Sequence, residues 1–272
     1  MPDFIDKSFD FARIEKYRLS IQIDLNGFSF CIYDVAHNKH VVLKNIGYGK
    51  SVSDYADQSK AIAEIIENDR ILKIRYPSCN CIYVSPKSTL IPEELFTESR
   101  LRNYLEFMHT LDELDEIRYK HLPELKCYCV FALPSPVVVE IAKYQQNIAF
   151  INQAYKSIYD LTRIRRNNLL VSFHPGFADM NLFYEGKLQF HNVFDIHDNM
   201  DALYYISAVV KQLGVAEDTP IRVSGEISSQ DIDELSRYLP SLEAEHNRRM
   251  TLLVGYERSY RYYGLLNLHE CE

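Results

Sequence analysis

Two aspartates in this sequence lie close to glycine turns, where proteins can hold phosphate groups and magnesium. Asp24 ends an apolar run and is followed by Asn26 and Gly27, and Asp179 follows Gly176 by three residues. A carboxylate at a strand end can hold a magnesium-bound water if a phosphate sits over the hairpin. The structural alternative is that Asp24 accepts hydrogen bonds within its own turn and that Asp179 lies on a strand face.

Four cysteines form two Cys-x-Cys pairs, Cys79 with Cys81 and Cys127 with Cys129. Two residues apart on a strand, thiols share one face with Cα atoms about 6.6 Å apart. Zinc ligands instead usually leave two to four residues between them, in a turn that wraps the ion. We therefore expect no metal, and predict four reduced packing residues on adjacent strands.

Histidines and aspartates are densest in one short part of the second half: His174, His191, Asp195, His197 and Asp198. This group has no recognised metal-ligand spacing, so surface or hydrogen-bonding roles are expected. The sequence also lacks a P-loop, a Gly-x-Ser-x-Gly elbow and a His-Glu-x-x-His motif, which removes the commonest motif-based assignments to hydrolases and NTPases. We name no catalytic residue.

Arginines cluster at 163–166, and arginines mix with tyrosines at 258–263. Such mixtures can stack on RNA bases. The chain nevertheless carries 30 Lys and Arg against 38 Asp and Glu, a formal charge of −8, which argues against binding duplex DNA. A solvated helix end and a Tyr-rich packed helix are the main interpretation, with RNA contact as the alternative.

The first half of the sequence predicts the elements that position Asp24. Alternation of apolar residues predicts an antiparallel meander of strands at 19–24, 28–34 and 40–47. A helix follows at 54–68, with Ser53 as its N-cap. The segments CNCIYVSP (79–86) and CYCVFALP (127–134) are then two similar strands, each followed by helical sequence, and this alternation favours parallel pairing.

The second half repeats this order. Strands are predicted at 168–173, 178–184 and 187–194, and a helix begins near Met200 and ends before Gly214. A strand at 221–225, a helix capped by Ser228 or Ser229, a last strand at 249–256 and a terminal helix at 259–270 complete it. We predict an α/β protein with two lobes, 1–148 (with an N-terminal extension of about 16 residues) and 149–272, each a βββαβαβα unit with a five-stranded mixed sheet.

This duplication resembles the actin-like ATPase superfamily, whose fold is a duplicated ribonuclease H-like unit. IDLNG (23–27) is similar to the first phosphate motif of that superfamily, SFHPGFADMNLF (172–183) lies where its second phosphate motif belongs, and VSGEIS (223–228) lies where its adenosine motif belongs. CVFALPSPVVVEIAK and FINQAYKSIYDLTRI resemble its strand and helix pairs. The resemblance implies Mg-ATP as the ligand and a nucleotide site formed by Asp24, Asn26, Gly27, Gly176, Asp179, Gly225 and Glu226.

The phosphate and adenosine motifs depart from the superfamily pattern. Ser172 stands where an Asp is usual, and His174 and Pro175 replace glycines. Proline has no N–H to donate to a phosphate. Glu226 stands where a second glycine would admit the base. The motifs are therefore degenerate, and we expect ATP and magnesium to bind weakly or not at all.

A narrower resemblance involves the segment YVSPKSTLIPEELF (83–96), the single-glycine SFHPGFADMNLF and VSGEI (223–227). Together these segments are similar to an uncharacterised bacterial family of unknown function with an actin-like fold. A fold alone does not give an activity.

The expected function is that of a pseudo-ATPase: a binding or scaffolding module without a cofactor and with an unknown protein partner. The alternative is an active Mg-ATP-dependent ATPase or phosphotransferase with the nucleotide between the lobes. No apolar run is long enough to span a bilayer, and the first residues, MPDFIDKSFDFARIEK, have no hydrophobic leader segment. A cytoplasmic protein with reduced cysteines is therefore expected.

Overall fold

The computed structural model describes residues 4–49, 52–164, 166–246 and 256–271. The chain divides into two compact units, Met1–Tyr155 with Leu265–Glu272, and Lys156–Gly264. The lobe boundaries predicted above, 1–148 and 149–272, stay a prediction.

The first unit is built on a mixed sheet. In chain order its elements are β1 (Phe4–Ile5), β2 (Tyr17–Ile23), β3 (Gly27–Asp34), β4 (Lys39–Gly47), α1 (Tyr55–Asn68), β5 (Ser78–Tyr83), β6 (Ser88–Pro92), α2 (Leu101–Glu106), β7 (Asp115–Leu122), β8 (Cys127–Pro134), α3 (Ser135–Tyr144) and β9 (Ile148–Asn152). The main sheet has the order β1-β4-β3-β2-β5-β9. Its first four strands are antiparallel, and β5 and β9 continue it in parallel.

The predicted meander is confirmed, because β2, β3 and β4 form it as consecutive hairpins. Helix α1 is also confirmed and buries one face through Gln58, Ile62 and Ile66. Its N-cap differs from the prediction: the side chain of Asp54, not Ser53, accepts the N–H of Asp57. Ser53 instead donates its hydroxyl to the carboxylate of Asp57.

The prediction for the two Cys-x-Cys strands is wrong. Strand β8, which carries Cys127 and Cys129, lies in a separate three-stranded antiparallel sheet of order β6-β8-β7. Cys79 and Cys81 lie on β5 in the main sheet, so the two pairs are not on adjacent strands. The fifth strand of the βββαβαβα unit is β9, and β6, α2, β7 and β8 form an insertion before α3.

The second unit repeats the first arrangement. It contains most of α4 (Gln153–Ile164), β10 (Asn168–His174), β11 (Phe177–Tyr184), β12 (Lys187–Asp195), α5 (Asn199–Gln212), β13 (Ile221–Gly225), α6 (Ser229–Ser236), β14 (Leu242–Ala244) and the start of α7 (Tyr263–Asn267). The five-stranded sheet has the order β12-β11-β10-β13-β14, with β13 and β14 parallel to β10. Its core includes Val171, Met180, Ile206, Val223 and Leu235.

Local signals placed the helix ends of this unit correctly. Gly214 has φ +61 directly after α5, as expected of a helix-terminating glycine. Ser228 caps α6 and forms a capping box with Asp231. The fifth strand is β14, which the sequence analysis missed, whereas most of the strand predicted at 249–256 lies outside the described residues.

The end of the chain belongs to the first unit. It is helical as predicted, in short segments that end with Leu268–Glu270. The amide of Asn80 on β5 donates to the carbonyl oxygens of Leu268, at 3.2 Å, and Cys271, at 2.9 Å. His40 on β4 donates through Nε2 to the carbonyl oxygen of Leu266, at 2.8 Å. These contacts fix the chain end on the main sheet of the first unit.

Candidate functional site

The turn between β2 and β3 is closed by its own aspartate. Oδ1 of Asp24 accepts hydrogen bonds from the backbone N–H of Asn26, at 2.8 Å, and of Gly27, at 2.9 Å. Asp24 is only 6% exposed. Two N–H groups that a phosphate over this hairpin would need are therefore already bonded to a carboxylate.

Gly27 is required by packing between strands. A Cβ at this position would lie 2.6 Å from the carbonyl oxygen of Ile46 on β4, closer than real Cβ contacts come. The N–H of Tyr48 also donates to the carbonyl of Asn26, at 3.1 Å. The glycine that resembles a phosphate-binding residue thus has a complete structural explanation.

A buried glutamine on α1 is also hydrogen-bonded to this turn. Nε2 of Gln58 on α1 donates to the carbonyl of Asp24, at 3.1 Å, and its Oε1 accepts the hydroxyl of Tyr83, at 3.0 Å. Burial raises the pKa of Tyr83, so its hydroxyl remains a donor. The sequence analysis missed Gln58, although a polar residue on the buried face of an amphipathic helix is a signal for such a contact.

The turn between β10 and β11 is short. His174 pairs with Phe177 across it, and the loop consists of Pro175 and Gly176 alone. Gly176 has φ +82, the value that a type II turn requires after a proline. Because proline has no N–H, Gly176 supplies the one N–H of this loop.

Asp179 on β11 is bonded to a histidine. Nε2 of His174 donates to Oδ2 of Asp179, at 2.9 Å, and the carboxylate is fully buried. Oδ1 of Asp179 has no hydrogen-bond partner among the described residues. Such a buried acceptor normally has a water or another donor beside it.

Other polar side chains continue the face of the sheet on which Asp179 lies. Ser172 is opposite Asp179 in the register, and its Oγ accepts the hydroxyl of Ser224 on β13, at 3.1 Å. His191 on β12 lies opposite Asn181 and contacts its Oδ1 through Nδ1, at 2.8 Å. Burial lowers the pKa of His191, although the charge of Asp179 opposes that shift. His191 is therefore a neutral hydrogen-bonding residue.

The adenosine-like segment is also shaped by packing. Gly225 has φ +86, and a Cβ there would lie 2.1 Å from the carbonyl oxygen of Phe173. The same carbonyl accepts the N–H of Glu226, at 2.9 Å. Gly225 is needed for this close approach, and Glu226 lies on the surface at the end of β13.

The structure thus brings the predicted residues together within each unit. Asp24, Asn26 and Gly27 form one turn, while Gly176, Asp179, Gly225 and Glu226 lie on three neighbouring strands and their connecting turns. Their role in binding a nucleotide stays a prediction.

A charged cluster outside these motifs was not anticipated. Nζ of Lys87 lies 2.7 Å from Oδ2 of Asp115, and the hydroxyl of Tyr55 donates to Oδ1 of Asp115, at 3.0 Å. Burial lowers the pKa of Lys87, but its hydrogen bonds to Asp115 and to the hydroxyl of Tyr55 raise that pKa overall. A lysine held charged in this way does not act as a nucleophile. The cluster instead links α1 to the three-stranded sheet through the contact of Tyr55 with Asp115.

The remaining candidates are dispersed. Asp198 caps α5, and the backbone N–H of His197 donates to Asp201. Tyr260 and Tyr263 are buried, so these two rings are not available to stack on RNA. Arg165 and the side chain of Arg258 lie outside the described residues, and RNA contact stays an untested prediction.

Within the part of the chain that the structure describes, no group of three or more His, Cys, Asp or Glu side chains is placed to hold a metal ion. Among the described helices, none is long and apolar enough to cross a membrane.

Solved structures with the same fold cover nearly the whole chain. A Bacteroides thetaiotaomicron protein with an actin-like ATPase fold and unknown function is 22% identical, with a TM-score of 0.77, over 87% of this chain and 93% of that one. The PilM-PilN type IV pilus biogenesis complex gives 11% identity and a TM-score of 0.57, over 92% of this chain and 97% of that one. The ethanolamine utilization protein EutJ from Carboxydothermus hydrogenoformans gives 9% identity and a TM-score of 0.50, over 93% and 88%.

These similarities confirm the predicted actin-like fold. No curated protein matches the chain. A family profile does match, over residues 6–242, and its description is a protein of unknown function, DUF3822. The predicted resemblance to an uncharacterised family is thereby confirmed, and the chain belongs to the DUF3822 family of proteins of unknown function.

Proposed function

We propose that this protein is a pseudo-ATPase, an actin-like-fold protein that does not hydrolyse ATP and that serves as a binding or scaffolding module. The observation that carries the proposal is the bonding of Asp24 to the N–H groups of Asn26 and Gly27. A phosphate in this hairpin would have to replace that carboxylate. Hydrogen bonds to a charged group contribute about 1.5–3 kcal/mol each, so the replacement is costly, and the displaced carboxylate would then repel the phosphate.

The second hairpin supports the same conclusion. The short Pro175-Gly176 turn offers one loop N–H, and His174 holds Oδ2 of Asp179. A magnesium ion would compete with an imidazole donor for this carboxylate. In both units a carboxylate oxygen that resembles a nucleotide or metal ligand, Oδ1 of Asp24 and Oδ2 of Asp179, is thus already bonded within the protein.

A protein partner is part of the proposal. The PilM-PilN complex shares the fold and is an assembly of two proteins, which supports partner binding as a use of this architecture. We propose the cytoplasm as the location, because all six cysteines are free and five of them are buried.

One observation favours the alternative, an active Mg-ATP-dependent ATPase or phosphotransferase. Oδ1 of Asp179 is buried and lacks a hydrogen-bond partner among the described residues. Such an oxygen is suited to a magnesium-bound water.

Thermal unfolding in millimolar Mg-ATP separates the two candidates. A ligand that binds only the folded state at a hundred times its Kd adds about 2.7 kcal/mol, a shift of a few degrees for a chain of this size. We expect a shift below one degree, with Mg-ADP and magnesium alone as controls. A rise of several degrees that Asp24→Asn or Asp179→Asn abolishes would establish the nucleotide-dependent enzyme instead.

A further inference from the structure

The outer edge of β4 in the first unit carries a short added strand. β1 pairs antiparallel with β4, with Phe4 opposite Leu43 and Ile5 opposite Val42. The N–H of Asp6 then donates to the carbonyl of Val41, at 2.8 Å. The carboxylate of Asp6 lies 3.4 Å from Nζ of Lys39, the first residue of β4. An edge that would otherwise expose backbone donors and acceptors is covered in this way.

Strand β12 of the second unit matches β4 position by position. Both strands have nine residues and begin with lysine, Lys39 and Lys187. In β4 the register passes from Val42 to His40 and skips Val41. In β12 it passes from Phe190 to Leu188 and skips Gln189. The bulge thus falls at the third residue of each strand, and Gln189 corresponds to Val41.

The edge of β12 has no added strand. β12 is last in its sheet, and within 4–49, 52–164, 166–246 and 256–271 no strand pairs with its outer side. Lys187 and Gln189 are both exposed. The second unit therefore has the same kind of sheet edge, the same bulge and the same first lysine as β4, but its described residues include no counterpart to Phe4–Asp6.

We propose that the outer edge of β12 binds an extended segment of a partner protein, in which an apolar residue is followed by an acidic one. The segment adds antiparallel to β12 as β1 adds to β4, and backbone hydrogen bonds provide the affinity. The apolar residue of this segment lies beside Phe190, just as Ile5 lies beside Val42 in the first unit. Its acidic residue donates its N–H to the carbonyl of Gln189 and pairs with Lys187, as Asp6 does with Val41 and Lys39.

This inference goes beyond the function proposed above, since the edge of β12 would be equally available in an active ATPase. The two proposals can also be refuted independently of each other. The nucleotide experiment measures Mg-ATP, whereas the experiment below uses a peptide and no nucleotide.

The test uses the full chain and a fluorescent peptide with the sequence PDFIDKS, residues 2–8 of this protein. Fluorescence anisotropy is expected to show saturable binding, and hydrogen exchange is expected to show new protection in β12. Lys187→Glu should weaken binding about fivefold or more, whereas Lys211→Glu, an exposed lysine on α5, should not. A peptide with lysine in place of its second aspartate should bind Lys187→Glu better than the wild type.

A matched pair of modified peptides tests the backbone contact. Methylating the amide nitrogen of the second aspartate removes the donor to Gln189, and should reduce affinity about tenfold. Methylating the isoleucine nitrogen, which points away from β12 because successive amides alternate, should have little effect. The proposal is overturned if no saturable binding occurs at millimolar peptide, if Lys187→Glu binds unchanged, or if protection appears in β4 because the peptide displaces β1.

Discussion

His174 and Asp179 form a hydrogen-bonded pair across the turn between β10 and β11, with Nε2 and Oδ2 separated by 2.9 Å. The histidine stands where the resemblance to the actin-like superfamily implies a glycine, so the residue that departs from the second phosphate motif also supplies a donor to its aspartate. The departure from the motif and the hydrogen bond to Oδ2 of Asp179 are therefore two consequences of one residue.

Removing this histidine should destabilise the protein. His174→Ala leaves Oδ2 of Asp179 buried without its donor, and a buried acceptor left without its hydrogen bond costs about 1–3 kcal/mol, or more when it is charged. Urea unfolding is the measurement. His174→Ala combined with Asp179→Asn should recover part of the loss, because the amide carries no charge. A single variant as stable as the wild type would contradict the assigned role of the pair.

A second prediction concerns Asp24, whose carboxylate closes the turn between β2 and β3. Asp24→Ala removes the acceptor of two backbone N–H groups, and we expect a loss of about 1–3 kcal/mol in the free energy of unfolding. Asp24→Asn keeps one acceptor oxygen and should lose less. Equal stability of the two variants and the wild type in urea would show that the turn does not depend on this carboxylate.

The same local patterns that predicted the meander misplaced β8. CNCIYVSP and CYCVFALP are nearly interchangeable as sequences, so alternation and a terminal proline cannot tell which sheet each strand joins. That choice depends on β7, DEIRYKHL, whose charged residues give no clear strand period. The short strands β9 and β14 were likewise not predicted as fifth strands, because their places in the sheets follow from pairing with β5 and β13.

The candidate site was predicted in part. Sequence identified Asp24, Gly27, Asp179 and Gly225 as candidate site residues; Asp24, Gly27 and Gly225 lie at strand ends, and Asp179 lies within β11. It could not show whether their hydrogen-bonding groups were already used, because that depends on distances between backbone atoms. The contact of Gln58 with the carbonyl of Asp24 links residues 34 positions apart, which no local pattern reveals.

Stability should fall in acid because of His191. Burial lowers the pKa of His191 below its usual 6.5, so the unfolded chain takes up this proton more readily than the folded protein. The contribution of neutral His191 to the free energy of unfolding is complete above pH 6.5. It is lost as the pH falls from 6.5 towards the pKa of His191 in the folded protein. Urea unfolding at pH 7.5 and at pH 5.5 should therefore show a smaller loss for His191→Gln than for the wild type. Identical losses would mean that His191 is not held neutral.

The cysteines should differ in reactivity. Burial raises the pKa of Cys31 to about 12 and that of Cys127 to about 11, and thiolates are the reactive form. Cys271 is partly exposed, whereas the other five cysteines are buried. A thiol reagent at pH 8 should therefore label Cys271 first in the native protein, and all six only after denaturation. Mass spectrometry of the labelled protein identifies the site, and fast labelling of Cys127 would contradict the burial.

Two glycines with nearly the same backbone angle provide the last prediction. Gly225 has φ +86 and Gly176 has φ +82, so alanine is strained at both positions, by about 1–2 kcal/mol. At Gly225 a Cβ would also lie 2.1 Å from the carbonyl oxygen of Phe173, whereas at Gly176 no atom lies within 4 Å. Gly225→Ala should therefore lower the free energy of unfolding by well over the strain value, and Gly176→Ala only by that value. If both losses were equally small, β10 and β13 would be able to separate at this point, and Gly225 would be free to admit a ligand. A large difference between the two variants would instead support a role for Gly225 in strand packing.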